Sequence, residues 1–200
     1  MAGGSGIRAR QREHTRQVLL RESRRLFAAR GYGAVGLSEI VDAAGVTKGA
    51  LYHHFGSKEE LFRAVLEEVQ QEVGTAVVEA AEARTDAWEA LLAGCRAFLA
   101  AGTAPGRQRI MLVDGPSVLG WSEWRALDEA ASASHLADAL ADLIAAGTLP
   151  PQPVPPLTRL LSGAMNEAAL WLATSNDPND LEDTQRALAN MLNALRVKAG

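Results

Sequence analysis

Residues 38–55 read SEIVDAAGVTKGALYHHF. Apolar residues recur at spacings of three and four, so both halves read as helix rather than strand. Ser38 is expected to cap a short helix within Leu37–Ala44, and Gly45 breaks it. Thr47 then caps a second short helix reaching about Phe55, and Gly56-Ser57 breaks again. Helix, glycine turn, helix is the outline of a helix-turn-helix. At ~100° per residue, Leu51 and Phe55 share one face, while Gly49, Tyr52 and His53 lie opposite and Lys48 sits at the edge. Lys, Tyr and His turned outward suit the major groove of DNA, and Gly49 lets the backbone approach closely. Thr47 and the helix start can donate to phosphate.

The flanking sequence extends this unit. A helix from about Arg8 to Arg30 precedes it, with Leu19, Leu20, Ser23, Leu26, Phe27 and Arg30 on one side and Gly31 as its stop. Ser57 is expected to cap a long helix from Lys58 to about Ala83. Residues 1–63 hold eleven Lys/Arg against six Asp/Glu, a net charge of +5, out of chain totals of 20 and 24. The remainder holds nine against eighteen, a net of −9. A basic module on an acidic body suits an electrostatic nucleic-acid footprint confined to one end. Solvated arginines on a helix face are the alternative reading of the same charges.

Beyond Ala83 the chain also reads as helical. Thr85 is expected to cap a helix ending at Gly102. Further helices are expected over Pro105–Asp114, stopped by Gly115-Pro116, and from Ser122 to Ala146, ended by Gly147. Thr148–Pro156 carries five prolines and reads as a stiff loop. Final helices are expected over Pro156–Thr174 and Asp180–Lys198. The fold class is therefore all-α. A three-helix domain with the helix-turn-helix (1–57) is followed by a larger helical domain (58–200). No apolar run approaches the ~20 residues of a membrane span. The opening MAGGSGIRARQR lacks the apolar core of a secretory signal, and the single cysteine, Cys95, allows no internal disulfide. A soluble, cytoplasmic protein without contact to membrane is expected.

At these residues the sequence resembles the TetR family of bacterial transcriptional regulators. The resemblance is carried by GYGAVGLSEIVDAAGVTKGALYHHFGSKEELFRAVLEE and the basic helix before it, roughly the first third of the chain. The family pattern Thr-x-x-x-x-Tyr-x-x-Phe followed by Lys-Glu-x-Leu falls here on Thr47, Tyr52, Phe55, Lys58, Glu59 and Leu61. The resemblance implies phosphate contacts by Ser38, Thr47, Tyr52, His53 and Lys58, base-edge contacts by Lys48 and Gly49, and core roles for Leu51 and Phe55. An arm with Arg8, Arg10 and Arg12 either reaches phosphates or the minor groove or is a disordered terminus.

Two half-sites about 34–36 Å apart need two reading heads, so a homodimer on a double-stranded DNA operator is expected. Two apolar stripes are candidates for its interface: Leu157, Leu161, Ala164, Ala168 and Leu172, and Leu181, Leu188, Met191, Leu192 and Leu195. Protomer core is the other reading of both stripes. In the TetR family the middle helices enclose a pocket for a small inducing molecule. The pocket candidates are Trp88, Cys95, Phe98, Met111, Trp121, Trp124, Met165, Asn166 and Trp171. They suit a largely apolar effector, and a plain core is the alternative. The stretch DGPSVLGWSEWR reads either as a flap at the pocket mouth or as a rigid corner.

No HExxH, CxxC, GxGxxG or P-loop occurs, and His53 and His54 diverge on a helix, so neither an enzyme, a metal nor a cofactor is expected. Cys95 reads as a small buried thiol. The expected function is a sequence-specific DNA-binding regulator, a repressor released from its operator by a ligand. The alternative is a small-molecule binding or sequestering module with vestigial DNA binding.

Overall fold

The structure, a computed structural model, describes residues 3–197, with side chains from Arg8 onward. Helix α1 spans Gly3–Arg30, α2 Leu37–Ala44, α3 Lys48–His54, α4 Lys58–Glu82 and α5 Ala87–Gly102. A π turn over Arg109–Asp114 leads into α6, Gly115–Leu119. Helix α7, Trp121–Asp128, passes through a second π turn, Glu129–Ala133, into α8, Ser134–Ala145. Helices α9, Val154–Leu172, and α10, Asp180–Ala194, complete the fold. The expected end of α10 at Lys198 lies outside the described residues.

Short polar side chains set three of the helix starts. Thr47 accepts from the Ala50 N–H at 3.2 Å and Ser57 from the Glu60 N–H at 3.0 Å. Asp86, not Thr85, caps α5, accepting from the Glu89 N–H at 2.9 Å. Ser38 is not a cap either: Gly36 holds that position, and the Glu39 carboxylate accepts the Gly36 N–H at 3.0 Å. Arg30 pairs with the same carboxylate and is exposed rather than part of the α1 core stripe. Gly45 ends α2 at φ 65°, a left-handed position that favours glycine, and so sets the turn between α2 and α3.

Gly115-Pro116 does not stop a helix. Pro116 has no N–H and its ring crowds the carbonyl four residues back. The chain widens instead, and the Gly115 N–H donates to the Ile110 carbonyl five residues back. The break comes at Gly120, φ 78°. The helix expected over Ser122–Ala146 is likewise continuous but carries a π turn.

Helix α4 is the shared spine. Leu61, Phe62, Val65, Leu66 and Val69 are fully buried between α1 on one side and the body on the other. Phe27, Tyr32 and Phe62 cluster with ring centroids 5.1–5.7 Å apart. Burial of each such side chain contributes about 1.5–3 kcal/mol. Polar links bind the first three helices to the body. The Tyr32 N–H donates to Asp114 Oδ2 at 2.8 Å, and Arg109 donates to the Ala29 carbonyl at 3.3 Å. Glu72 accepts from Arg24 on α1 and from Arg107 at 2.9 Å.

Candidate nucleic-acid interface and body cavities

Helix α3 is fixed from behind. Leu51 and Phe55 are buried against the α1–α2 core with Ile40 and Val41. That anchoring leaves Thr47, Lys48, Gly49, Tyr52 and His53 exposed, Tyr52 at 51%. No heavy atom outside its immediate neighbours comes nearer than 3.8 Å to a Cβ built on Gly49, so the helix surface there is open. Ser38 sits in the first turn of α2.

The N-terminal half of α1 flanks α3. The Arg16 guanidinium lies 5.4 Å from the Phe55 ring centroid. Burial, then His53, Arg12 and Arg16, push the His54 imidazole below its ordinary pKa, with Glu13 opposing. Arg8, Arg10 and Arg12, expected as an arm, are early turns of α1 and are exposed. The reading face is thus bordered by cationic side chains from a second helix.

Lys58 departs from this set. Its Nζ donates to the Tyr32 carbonyl at 2.6 Å and lies 3.9 Å from the Tyr32 ring centroid. Burial pushes its pKa down, against the favourable charges of Asp114 and Glu39. Lys58 therefore ties the start of α4 to the end of α1 instead of projecting outward. The sequence spacing placed it beside the motif but could not show the carbonyl waiting for it.

Two hollows among the body helices bear on the expected pocket. The first, of about 270 Å³, lies among α4, α5, the second π turn, α8 and α9. Three of the pocket candidates, Cys95, Phe98 and Met165, line it. Val77, Leu91 and Leu136 add apolar wall, and Glu82, His135 and Asp142 stand exposed around it. Burial raises the Cys95 thiol to about 12, so it is a neutral wall group.

The second hollow, of about 310 Å³, lies among the first π turn, α6, α7 and α9 and takes Trp121, Trp124 and Asn166. Trp124 is anchored by its Nε1–H, which donates to the Met111 carbonyl at 2.6 Å. The pocket candidates thus divide between two places. Trp88, Met111 and Trp171 line neither. Met111 is fully buried core, Trp88 donates to Asn193 Oδ1 at 3.2 Å, and Trp171 is half exposed on α9. Among the described residues no cluster of three or more His, Cys, Asp or Glu is placed to hold a metal, and no helix is long and apolar enough to cross a membrane.

The stripes expected at a subunit interface also need correction. Leu157, Leu161, Leu188 and Leu192 are buried within the protomer, because α9 and α10 pack those faces on α5 and on each other. Leu172, Leu181 and Leu195 are half-buried. The outward face runs one register over: Leu160, Gly163, Ala164, Glu167 and Trp171 on α9, and Ala187 and Met191 on α10. Ala164, Ala168 and Met191 line a shallow groove between the two helices.

Residues 88–195 match the family described as Tetracyclin repressor-like, C-terminal domain, and residues 19–65 match Bacterial regulatory proteins, tetR family. The chain belongs to the TetR family of bacterial transcriptional regulators. A TetR-family regulator of Pectobacterium atrosepticum has a similar structure, with a TM-score of 0.78 and 32% identity, over 95% of this chain and 98% of that one. The activator FasR of Mycolicibacterium smegmatis is 41% identical over 99 residues, 48% of this chain and 45% of the relative. The repressor AcnR of Corynebacterium efficiens is 42% identical over 55 residues, 28% of this chain and 29% of the relative. The chain thus spans less than half the length of these curated relatives.

Proposed function

We propose that this TetR-family chain binds an operator through a head ending at Ser57 and senses a ligand through a body beginning at Lys58. The observation that carries the reading is the α3 face. Leu51 and Phe55 hold the helix from within, and Thr47, Lys48, Gly49, Tyr52 and His53 stand outward beside Arg12 and Arg16. Lys48 and Gly49 meet base edges, and Ser38, Thr47, Tyr52 and His53 contact phosphates. Cationic flanks supply the salt-dependent part of the affinity.

A homodimer presents two such heads to half-sites about 34–36 Å apart. The outward α9–α10 face, with Leu160, Trp171 and Met191 exposed, supplies the apolar area for it. Ala164 and Ala168 allow close helix approach there. The effector site is the first hollow, and its apolar walls suit a small, largely apolar molecule. Helix α4 joins hollow and head directly. Val77, Val78 and Ala81 line the cavity near one end, and Lys58 is tied to Tyr32 at the other. At ~1.5 Å per residue the helix is about 37 Å long, so a small tilt at the cavity moves the head appreciably. A ligand weakens operator binding only if it prefers the displaced arrangement.

The regulator works in the cytoplasm as a repressor and not as an enzyme. Electrophoretic shift of the gene's own upstream DNA tests this. Sequence-preferring binding by the dimer is the expected result, and its absence with folded dimer present refutes the proposal.

A further inference from the structure

Pro116 leaves one backbone carbonyl without a donor whichever way the chain before it is wound. In an α-helical register the Leu112 carbonyl, four residues back, faces the missing N–H. In the wider π register the loss falls on Met111, five residues back. The structure adopts the second arrangement, with the Gly115 N–H on the Ile110 carbonyl. The Met111 carbonyl is buried, and its donor comes from another helix: Trp124 Nε1–H on α7, at 2.6 Å. A buried carbonyl without a partner is costly, so the indole favours the π register. The fit is steric as well. A Cβ at position 115 would stand 2.8 Å from Trp124 Cδ1, so a glycine there admits the ring.

The register also decides what the turn can grip. Arg109 and Asp114 are its first and last residues. At ~100° per residue, α-helical winding would point them about 140° apart. The wider turn brings them nearer to one side, and both reach the end of α1. Arg109 donates to the Ala29 carbonyl at 3.3 Å, and Asp114 accepts the Tyr32 N–H at 2.8 Å. Lys58, at the start of α4, donates to the Tyr32 carbonyl at 2.6 Å. Tyr32 is thus held from the body by Asp114 and from α4 by Lys58.

We propose that Trp124 is a positioning residue for the reading head: by supplying the donor that Pro116 withholds, it keeps the turn in the register in which Asp114 grips α1. A return to α-helical winding gives the Gly115 N–H to Met111 and frees the indole N–H. It also orphans the Leu112 carbonyl and rotates Asp114 away from Tyr32. The Trp124–Met111 and Asp114–Tyr32 bonds therefore form and break together. With the grip intact, the head is held at one angle to the body, and operator binding pays less to order it. That consequence rests on operator reading by α3, whereas the coupling of the two bonds does not.

The test follows hydrogen exchange by nuclear magnetic resonance in isotope-labelled full-length protein. The Trp124 indole N–H and the Tyr32 N–H are expected to open with one free energy. Trp124→Phe keeps an apolar ring and removes the donor. It is expected to speed Tyr32 exchange at least about tenfold, beyond any change at the amide of the fully buried Leu66, which reports global unfolding. Asp114→Ala releases Tyr32 likewise, and Asp114→Asn, which retains an acceptor, does not. The Trp124→Phe, Asp114→Ala double variant releases it no further than Asp114→Ala alone. Should Trp124→Phe misfold, Asp114→Ala carries the test in reverse, because it must speed exchange of the Trp124 indole proton. Each releasing variant weakens operator affinity about fivefold with the salt slope unchanged, because no phosphate contact is lost.

Unchanged Tyr32 exchange in folded Trp124→Phe overturns the proposal. So does an indole proton indifferent to Asp114→Ala, or additive effects in the double variant. Coupling absent in a chain that prefers its operator refutes this proposal alone. Coupled exchange in a chain that prefers no duplex refutes operator reading, and the positioning role with it.

Discussion

Replacing Gly74 by Ala places one methyl group in the closest approach of the body. A Cβ at Gly74 on α4 falls 2.2 Å from the Ala131 carbonyl oxygen and 3.2 Å from its carbon, in the second π turn. Carbon atoms settle about 3.5 Å or more from non-bonded neighbours, so more than about 1 Å of separation must open. The obstacle is backbone inside a helical turn and cannot swing aside. Overpacking of this kind costs about 1–3 kcal/mol, and the upper end applies. Gly→Ala in a helix interior returns about 1 kcal/mol. The net expectation is a loss of about 2 kcal/mol, or a Tm lower by about 4–8 °C for a chain of this size. Gly49→Ala is the control, because its Cβ meets nothing nearer than 3.8 Å. Thermal unfolding by circular dichroism reads both. A Gly74→Ala protein melting at or above wild type, while Gly49→Ala melts slightly higher as expected, refutes the reasoning.

Other outcomes follow from the same packing. Cys95, buried and with its thiol raised to about 12, stays unreactive to a thiol reagent in the native protein and reacts on unfolding; rapid native labelling at neutral pH contradicts its placement. The Glu72 carboxylate is held below the ordinary range, first by hydrogen bonds from Arg24 and further by Arg107, against burial. Its contribution is therefore present above the ordinary carboxylate pKa of about 4.3 and is lost as pH falls through the depressed folded value. Glu72→Gln flattens that acid limb of Tm against pH, and an unchanged limb rules the linkage out. Gly163→Ala meets nothing within 4 Å in a single protomer, so its helix alone gains stability. On the proposed α9 interface the added methyl weakens association, which sedimentation across a dilution series detects as a higher dimer dissociation constant.

The head was legible because its signals are local. Thr47 and Ser57 cap helices within three residues, Gly45 turns left-handed, and Leu51 and Phe55 fall on one face whatever surrounds them. Ser38 misled because Gly36 with Glu39 performs the capping, which a search for short hydroxyl side chains passes over. Gly115-Pro116 misled for a tertiary reason: the chain there has packing on both sides and widens into a π turn instead of ending. In the body, periodicity identified apolar stripes on α9 and α10 without saying which faces inward. Leu157, Leu161, Leu188 and Leu192 fill the protomer, and Leu160, Trp171 and Met191 remain outside. The tryptophans were conspicuous in composition, yet a hollow is a product of helix packing, and only Trp121 and Trp124 border one.

The central claim is that the outward face of α3 reads DNA. Fluorescence anisotropy of labelled duplexes tiling the gene's upstream region, at physiological salt, tests it most directly. The account predicts one duplex bound in preference to scrambled sequence, loss of that preference in the Lys48→Ala protein, and weaker binding to every duplex in the Tyr52→Ala protein, both with unchanged melting and dimerisation. Equal binding to all duplexes, or an operator preference that survives Lys48→Ala, contradicts it.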